Sequence, residues 1–314
     1  MSNNCWVVYD QGKVGTLNQC LGLAEALGLV PEIKPVAARF PWSYLPPSWW
    51  PLPLQGLKPD TQVVPPWPDL IIAGGRVSAA PVAAIRRITQ GRTKVIQLLN
   101  PKMDPQNFDA VIAPFHDQLR GSNVLQTLGP FHRVTADRIA QEVVKFQDKL
   151  AFLSRPIAAV LIGGPNKYYR LDQKVMADMA VHLRRFVLEE GYSLVVTASR
   201  RTDKGCRTLL QAQLQGLPVH FWDGEGDNPY FAYLGVADVI LVTSDSVSMT
   251  AEAASTGKPL YLYPLPGYSS KFTRFHTEME KGGHLRIFNG NLTPYDMQPL
   301  NDIKDISSRL KAFL

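Results

Sequence analysis

The sequence predicts an α/β protein of two domains, each a parallel sheet covered on both faces by helices. Three observations predict it. Apolar runs of four to six residues recur along the chain, several closed by glycine-, hydroxyl- or arginine-bearing turns. Helix-length stretches separate them, and this alternation is how parallel sheets are assembled. The chain is 314 residues long, more than one ordinary domain, and the pattern restarts at residue 157.

Residues 5–9 form the opening strand. They run into Asp10-Gln11-Gly12-Lys13-Val14-Gly15-Thr16 and a helix over 18–27. The next strand, 70–73, is closed by Gly74-Gly75-Arg76 and followed by a helix over 79–88; strands follow at 94–98 and 110–113. A helix over 136–152 ends the first domain, set at residues 1–152. In the second domain, 153–314, strands fall at 157–162, 194–197, 219–222, 239–243 and 259–263. Helices fall at 171–190, 204–215, 247–256 and 271–281. Val175, Met179, Leu183 and Phe186 recur every three to four residues, as a helix face packed on a sheet requires. The amphipathic tail, 303–314, packs on its own domain or crosses back to the first.

Residues 41–68 break the pattern. They hold nine of the 25 prolines and four of the six tryptophans, so they are read as an irregular excursion. Three readings stand: a hydrophobic loop folded on the first domain, an aromatic surface for a membrane or acceptor lipid, or a protein-partner surface.

Apolar residues make up 45% of the chain and its formal charge is +6. That excludes a disordered or collagen-like chain, and it suits phosphates or an anionic membrane face without identifying nucleic acid as a partner. Cys5, Cys20 and Cys206 are too scattered for a disulfide framework or zinc site, which suits a reducing compartment. The first ten residues lack a secretory pattern, and no apolar run reaches a membrane span, so a cytoplasmic location is expected. The six histidines show no metal-ligand spacing, and neither a metal nor a bound cofactor is expected.

Several turns carry candidate chemistry. Gly163-Gly164 follows a strand and permits close backbone approach to a phosphate, although many strands end this way. Residues 197–202 join hydroxyls, Ser199 among them, to Arg200 and Arg201. They read either as a phosphate or carboxylate clamp or as a basic corner capped by Thr202 or Asp203. Residues 243–253 turn from a strand into a helix. Ser246 and Ser248 either hold phosphate there or cap the helix, and Glu252 either accepts both hydroxyls of a ribose or lies at the surface. Asn228, Pro229 and Tyr230 either line a base pocket or start a helix. In the first domain, Asp10 is a candidate base or a backbone acceptor, and His116 with Asp117 a candidate cleft pair.

Taken in order, residues 10–19, Gly74-Gly75-Arg76, Gly163-Gly164, 197–202 and 243–253 resemble the bacterial members of a family named after a plant mitochondrial-fission factor, elongated mitochondria. That family is similar to glycosyltransferases of the GT-B type. The resemblance spans nearly the whole chain and implies two Rossmann-like domains facing a central cleft. It implies a nucleoside-diphosphate sugar held by Gly163, Gly164, Ser199, Arg200, Ser246, Ser248 and Glu252; Asn228 joins these candidates from the base-pocket reading of its loop. The acceptor, lipid-linked or saccharide, would enter near residues 12–16 and the tryptophan-rich excursion, with peripheral contact at the inner face of a membrane. Related transferases often carry a histidine where this chain has Thr16, so Asp10, His116 or the acceptor itself would supply the base. The implied reaction is metal-independent transfer of the sugar to an acceptor hydroxyl, with domain closure excluding water. Plant relatives are associated with recruiting a dynamin-like fission protein, so an inactive GT-B-like scaffold is the alternative. A nicotinamide-dependent sugar epimerase is a third reading, but Gly12-Lys13-Val14-Gly15 lacks the full dinucleotide motif it needs.

Overall fold

A computed structural model describes residues 4–292 and 295–311. The chain divides into two units, one built from residues up to Arg133 together with those from Asn301 on, the other spanning Val134–Leu300.

The first unit begins with β1 (Cys5–Asp10), α1 (Val14–Leu27), β2 (Glu32–Val36), β3 (Leu70–Gly74) and α2 (Arg76–Ile88). β4 (Lys94–Leu98), β5 (Ala110–Pro114) and β6 (Val124–Thr127) complete a six-stranded parallel sheet of order β2-β1-β3-β4-β5-β6. Val7 lies between Ile33 of the edge strand and Ile72 in register, and Val7 and Ile72 are fully buried. Alternate residues feed opposite faces. Trp6, Val8, Ile71 and Val95 pack toward α2, whereas Val7, Ile72, Ile96 and Ile112 pack toward Cys20 and Leu23 of α1. The sequence pattern misses β2 and β6. β2 is an exposed edge containing Pro35, and β6 is only partly buried, so neither has the apolar run of an inner strand.

The second unit opens with α3 (Ala136–Leu150), β7 (Ile157–Ile162), α4 (Gln173–Leu188), β8 (Ser193–Ala198), α5 (Lys204–Gln213) and β9 (Val219–Phe221). It continues through α6 (Tyr230–Val236), β10 (Val239–Thr243), α7 (Val247–Ala254), β11 (Leu260–Tyr263), α8 (Ser270–Lys281) and β12 (Arg286–Ile287). Its sheet is again parallel and six-stranded, in the order β12-β11-β10-β7-β8-β9. Every residue of β7, β8, β10 and β11 is buried. α4 contributes Val175, Met179, Leu183 and Phe186 to the core, the spacing expected from the sequence, and Asp172 caps it by accepting from the Val175 amide at 3.0 Å.

The unit boundary differs from the expected break at 152. α3 packs along α6, where Gly235 lets Ile139 and Val143 come against the helix backbone, so α3 belongs to the second unit. α9 (Asp302–Lys311) lies in the first unit and packs on α1 through Ile306 and Leu310. Asp302 receives the amides of Leu128 at 2.5 Å and Gly129 at 2.9 Å. The expected tail helix extends to 314, and its last three residues lie outside those described.

The excursion folds onto the first unit. Trp50, Leu57 and Val63 are buried in the α2-side core, and two short 3-10 turns, Pro47–Trp49 and Pro53–Gly56, carry the chain past α2.

α1 approaches the chain at His132 so closely that a Cβ at Gly22 would meet the His132 carbonyl. Backbone cannot step aside as a side-chain tip can. Gly22→Ala is therefore expected to destabilise the protein by about 1–3 kcal/mol, read from denaturant midpoints.

Candidate functional site

In the second sheet β7 lies between β8 and β10, and the chain leaves toward β8 and β9 on one side and β11 and β12 on the other. Ligands of open parallel sheets bind at the carboxyl ends of strands where the order reverses in this way. Here the loop after β7 is Gly163-Gly164 and the loop after β10 is Ser244-Asp245-Ser246.

Asp245 organises this edge. Its buried carboxylate accepts from the Gly164 amide at 2.8 Å, from Thr243 Oγ1 at 2.7 Å and from Arg201 Nη2 at 3.0 Å. Thr243 Oγ1 in turn accepts from the Gly163 amide at 2.8 Å, and the Thr202 hydroxyl donates to the Gly163 carbonyl. A Cβ on Gly163 would strike the Asp245 carboxylate, and one on Gly164 would strike Arg201. The double glycine therefore admits a carboxylate, and both amides expected to meet a diphosphate are occupied within the protein.

Arg201 is the cation of this network and also donates to the Gly164 carbonyl at 3.1 Å. Arg200 is exposed and forms no ion pair among the described residues. Ser199 Oγ accepts from the Arg201 amide at 3.2 Å, and Asp203 caps α5 by accepting from Gly205 at 2.8 Å, which settles which residue caps that helix. Ser246 caps α7 through the Met249 amide at 3.4 Å, while Ser248 is exposed in the first turn.

Glu252 lies further along α7. It is partly buried and receives the Tyr230 hydroxyl at 2.5 Å. Burial pushes its pKa up to about 7, against the lowering effect of that hydrogen bond. Burial, and then the Glu252 charge, raises Tyr230 well above the usual phenol range. Asn228 is exposed, and its side-chain oxygen accepts from the Tyr230 amide at 3.0 Å, so it steers the chain into α6. A cleft of about 420 Å³ follows directly on Gly164, lined by Asn166, Lys167, Tyr168, Arg170 and Gly267. Asp245 is the residue that sequence reasoning left without a role; an acid two residues past a strand, within Thr-Ser-Asp-Ser, was the available signal. Arg201 clamps a carboxylate as one of the two readings of 197–202 has it, but that carboxylate is the protein's own, and Tyr230 starts α6.

In the first unit, Asp10 ends β1 and its carboxylate accepts from the amides of Arg76 (2.9 Å), Val77 (3.0 Å) and Ser78 (3.0 Å). It is a backbone acceptor, but for the start of α2 rather than for the turn that follows it. His116 is buried after β5, with Nε2 4.0 Å from Asp117 Oδ1. Thr16 directs its methyl at Gly74, where a Cβ would collide with it, so the threonine packs α1 onto β3. Gly74-Gly75-Arg76 is the end of β3 and the start of α2, with Gly75 as the single residue between them.

The sequence profile described as Mitochondrial fission ELM1 matches residues 14–314. The chain belongs to this family. It is 27% identical to the mitochondrial fission protein ELM1 of Arabidopsis thaliana over 79% of its own length, and spans 64% of that relative. It is 25% identical to RP120, an uncharacterized protein of Rickettsia prowazekii (strain Madrid E), over 99% of this chain and 98% of that one. Among solved structures, the UDP-GlcNAc 2-epimerase of Methanocaldococcus jannaschii superposes with a TM-score of 0.63 at 10% identity, covering 98% of each chain. The Neisseria meningitidis UDP-GlcNAc 2-epimerase bound to UDP-GlcNAc gives 0.56 at 12% identity, over 99% of this chain and 92% of that one. At such identities the likeness concerns the fold: this ELM1-family chain has the GT-B-like α/β architecture.

Two outcomes check the network. Arg201→Ala leaves a buried carboxylate without its cation and is expected to cost about 1–3 kcal/mol, whereas Arg200→Ala stays within about 0.5 kcal/mol of wild type in urea unfolding. The second concerns Glu252, whose folded pKa of about 7 exceeds its ordinary 4.5. Below pH 4.5 it is protonated in both states and costs nothing; as pH rises to 7 the unfolded form ionises first and stability falls. Glu252→Gln, which keeps an acceptor for Tyr230, is thus expected to gain stability over wild type on the order of 1–3 kcal/mol between these limits. A pH series of unfolding curves reads the difference.

Proposed function

We propose that the second unit binds a nucleoside-diphosphate sugar and that the protein transfers the sugar, without a metal, to an acceptor hydroxyl on a lipid-linked or saccharide acceptor. The observation that carries this reading is the placement of Glu252 on α7, the helix that starts at the strand-order reversal. Glu252 lies six positions beyond Ser246, about 9 Å at the helical rise of about 1.5 Å per residue. A phosphate at the amino end of α7, near Ser246 and Ser248, would leave a ribose within reach of the Glu252 carboxylate. Exposed Arg200 supplies positive charge for the departing diphosphate, a role Arg201 cannot take while it holds Asp245. The acceptor oxygen bonds to the anomeric carbon, the bond to the diphosphate breaks, and the acceptor proton passes to a base. The Neisseria neighbour was solved with UDP-GlcNAc, which supports the donor class. The same reading puts the protein in the cytoplasm, peripheral at the inner face of a membrane.

A binding or scaffold role without turnover is the second reading. It is favoured by the state of the two candidate bases: Asp10 holds three amides and His116 is buried.

Calorimetry against UDP, GDP, ADP and CMP, with wild type and Glu252→Ala, tests the donor site. Selective binding lost in the variant supports it, and the absence of any binding refutes it. If ribose hydroxyls donate to Glu252, affinity rises with pH as the carboxyl ionises around 7, by about ten-fold from pH 6 to 8. The rise disappears in Glu252→Gln. Incubating the protein with UDP-GlcNAc, with and without acceptor, then separates transfer, inversion at the sugar and simple binding.

A further inference from the structure

We infer that the first unit carries a membrane-docking face for anionic phospholipid, built by the tryptophan-rich excursion and the carboxyl-terminal half of α2. It deepens the peripheral location proposed above but depends on neither nucleotide binding nor turnover.

Three of the excursion's four tryptophans have structural tasks. Trp42 donates Nε1 to the Pro51 carbonyl at 2.7 Å, and Trp50 donates to the Leu45 carbonyl at 3.1 Å from within the core. Trp67 packs edge-on against Trp6, with ring centroids 6.1 Å apart. Trp49 is 72% exposed; its amide donates to the Pro46 carbonyl at 2.9 Å, but no hydrogen bond or ring contact engages its indole among the described residues.

Leu52 is 65% exposed and sits at a φ of +47°, a conformation that costs an L-residue energy and that leucine rarely adopts. The backbone is thus held out of its preferred range at a position that presents an apolar side chain to water. That backbone opens the Pro53–Gly56 turn, with the Leu52 carbonyl accepting from the Gln55 amide at 2.9 Å, and it leaves the leucine side chain in water.

Leu52 shares a cleft with Arg87, with Asp104 also in its lining. Leu52, Pro47 and Trp50 line one wall of this cleft of about 810 Å³, and Ala83, Arg87 and Gln90 of the α2 side line another. Ile88, next to Arg87, is 55% exposed. Residues 39–109 hold eight basic and four acidic side chains, so four of the chain's six net positive charges fall here. Asp109 pairs with Arg86 and Lys94, leaving Lys58, Arg87 and Lys102 exposed and outside any ion pair among the described residues.

An exposed indole and leucine on the excursion, with an unpaired arginine lining the Leu52 cleft, match the two layers of an anionic membrane surface: the apolar groups enter the headgroup–acyl boundary and the cation meets phosphate. The excess positive charge of residues 39–109 favours an anionic lipid surface as the occupant. No helix among the described residues is long and apolar enough to cross a membrane, so the contact is interfacial.

Co-sedimentation with vesicles of phosphatidylcholine, alone and mixed with phosphatidylglycerol, tests this on the full chain. Binding to the mixed vesicles, weakened by salt, is expected. Trp49→Ala/Leu52→Ala lowers the affinity at least about ten-fold, and Arg87→Ala about five-fold, with circular dichroism checking that each variant folds. Brominated lipid should quench wild-type fluorescence more than that of Trp49→Phe, a readout that does not require a weakened variant. Failure to sediment with the mixed vesicles overturns the inference and leaves the face to a protein partner; so does wild-type affinity in the double variant, or quenching unchanged by Trp49→Phe. Nucleotide calorimetry on the same preparation is independent, so the two proposals fail separately.

Discussion

The buried carboxylate of Asp245 is the interaction on which the second unit's functional edge depends. A carboxylate removed from water is costly unless a cation and several donors replace its hydration. Here Arg201, Thr243 and the Gly164 amide provide them, and so the loops after β7, β8 and β10 are held in one arrangement. The glycines at 163 and 164 are a steric consequence of this packing, since any side chain there would displace either the carboxylate or Arg201.

The first unit solves the same problem with the pieces exchanged. Asp10, at the end of its first strand, holds three amides at the start of α2, whereas Asp245 follows the returning strand and reaches back to the loop after the first. In each sheet an aspartate occupies the amides at the strand-order reversal, where a bound anion is the usual occupant. On the proposed reading, a diphosphate would bind beside Asp245 rather than on those amides, at the amino end of α7 and near Arg200. Glu252 remains available on α7, but carries its own proton-dependent hydrogen bond with Tyr230.

Much of the architecture was legible in the sequence because an inner parallel strand must be apolar on both faces. β4, β7 and β10 lie where the short apolar runs place them, at Lys94–Leu98, Ile157–Ile162 and Val239–Thr243. Elements whose stability comes from neighbours left no comparable mark. β2 is an edge strand with Pro35, and α1 starts at Val14 with no side-chain cap, four residues before the first residue the pattern assigns to it. The extent of the first unit escaped for the same reason: α3 looks like any amphipathic helix until Gly235 of α6 shows where its apolar face goes.

At the candidate site the sequence by itself determined the elements and the inventory: glycine turns, hydroxyls, arginines and Glu252 at the carboxyl ends of predicted strands. Those follow from local periodicity and turn chemistry, which act over a few residues. Only the tertiary structure decided who holds whom. Asp245 meets Gly164 across 81 positions and Arg201 across 44, and Asp10 meets Ser78 across 68. No local pattern encodes pairings at such separations. They arise because parallel crossovers bring distant strand ends to one edge, where desolvation then makes each carboxylate take the nearest donors.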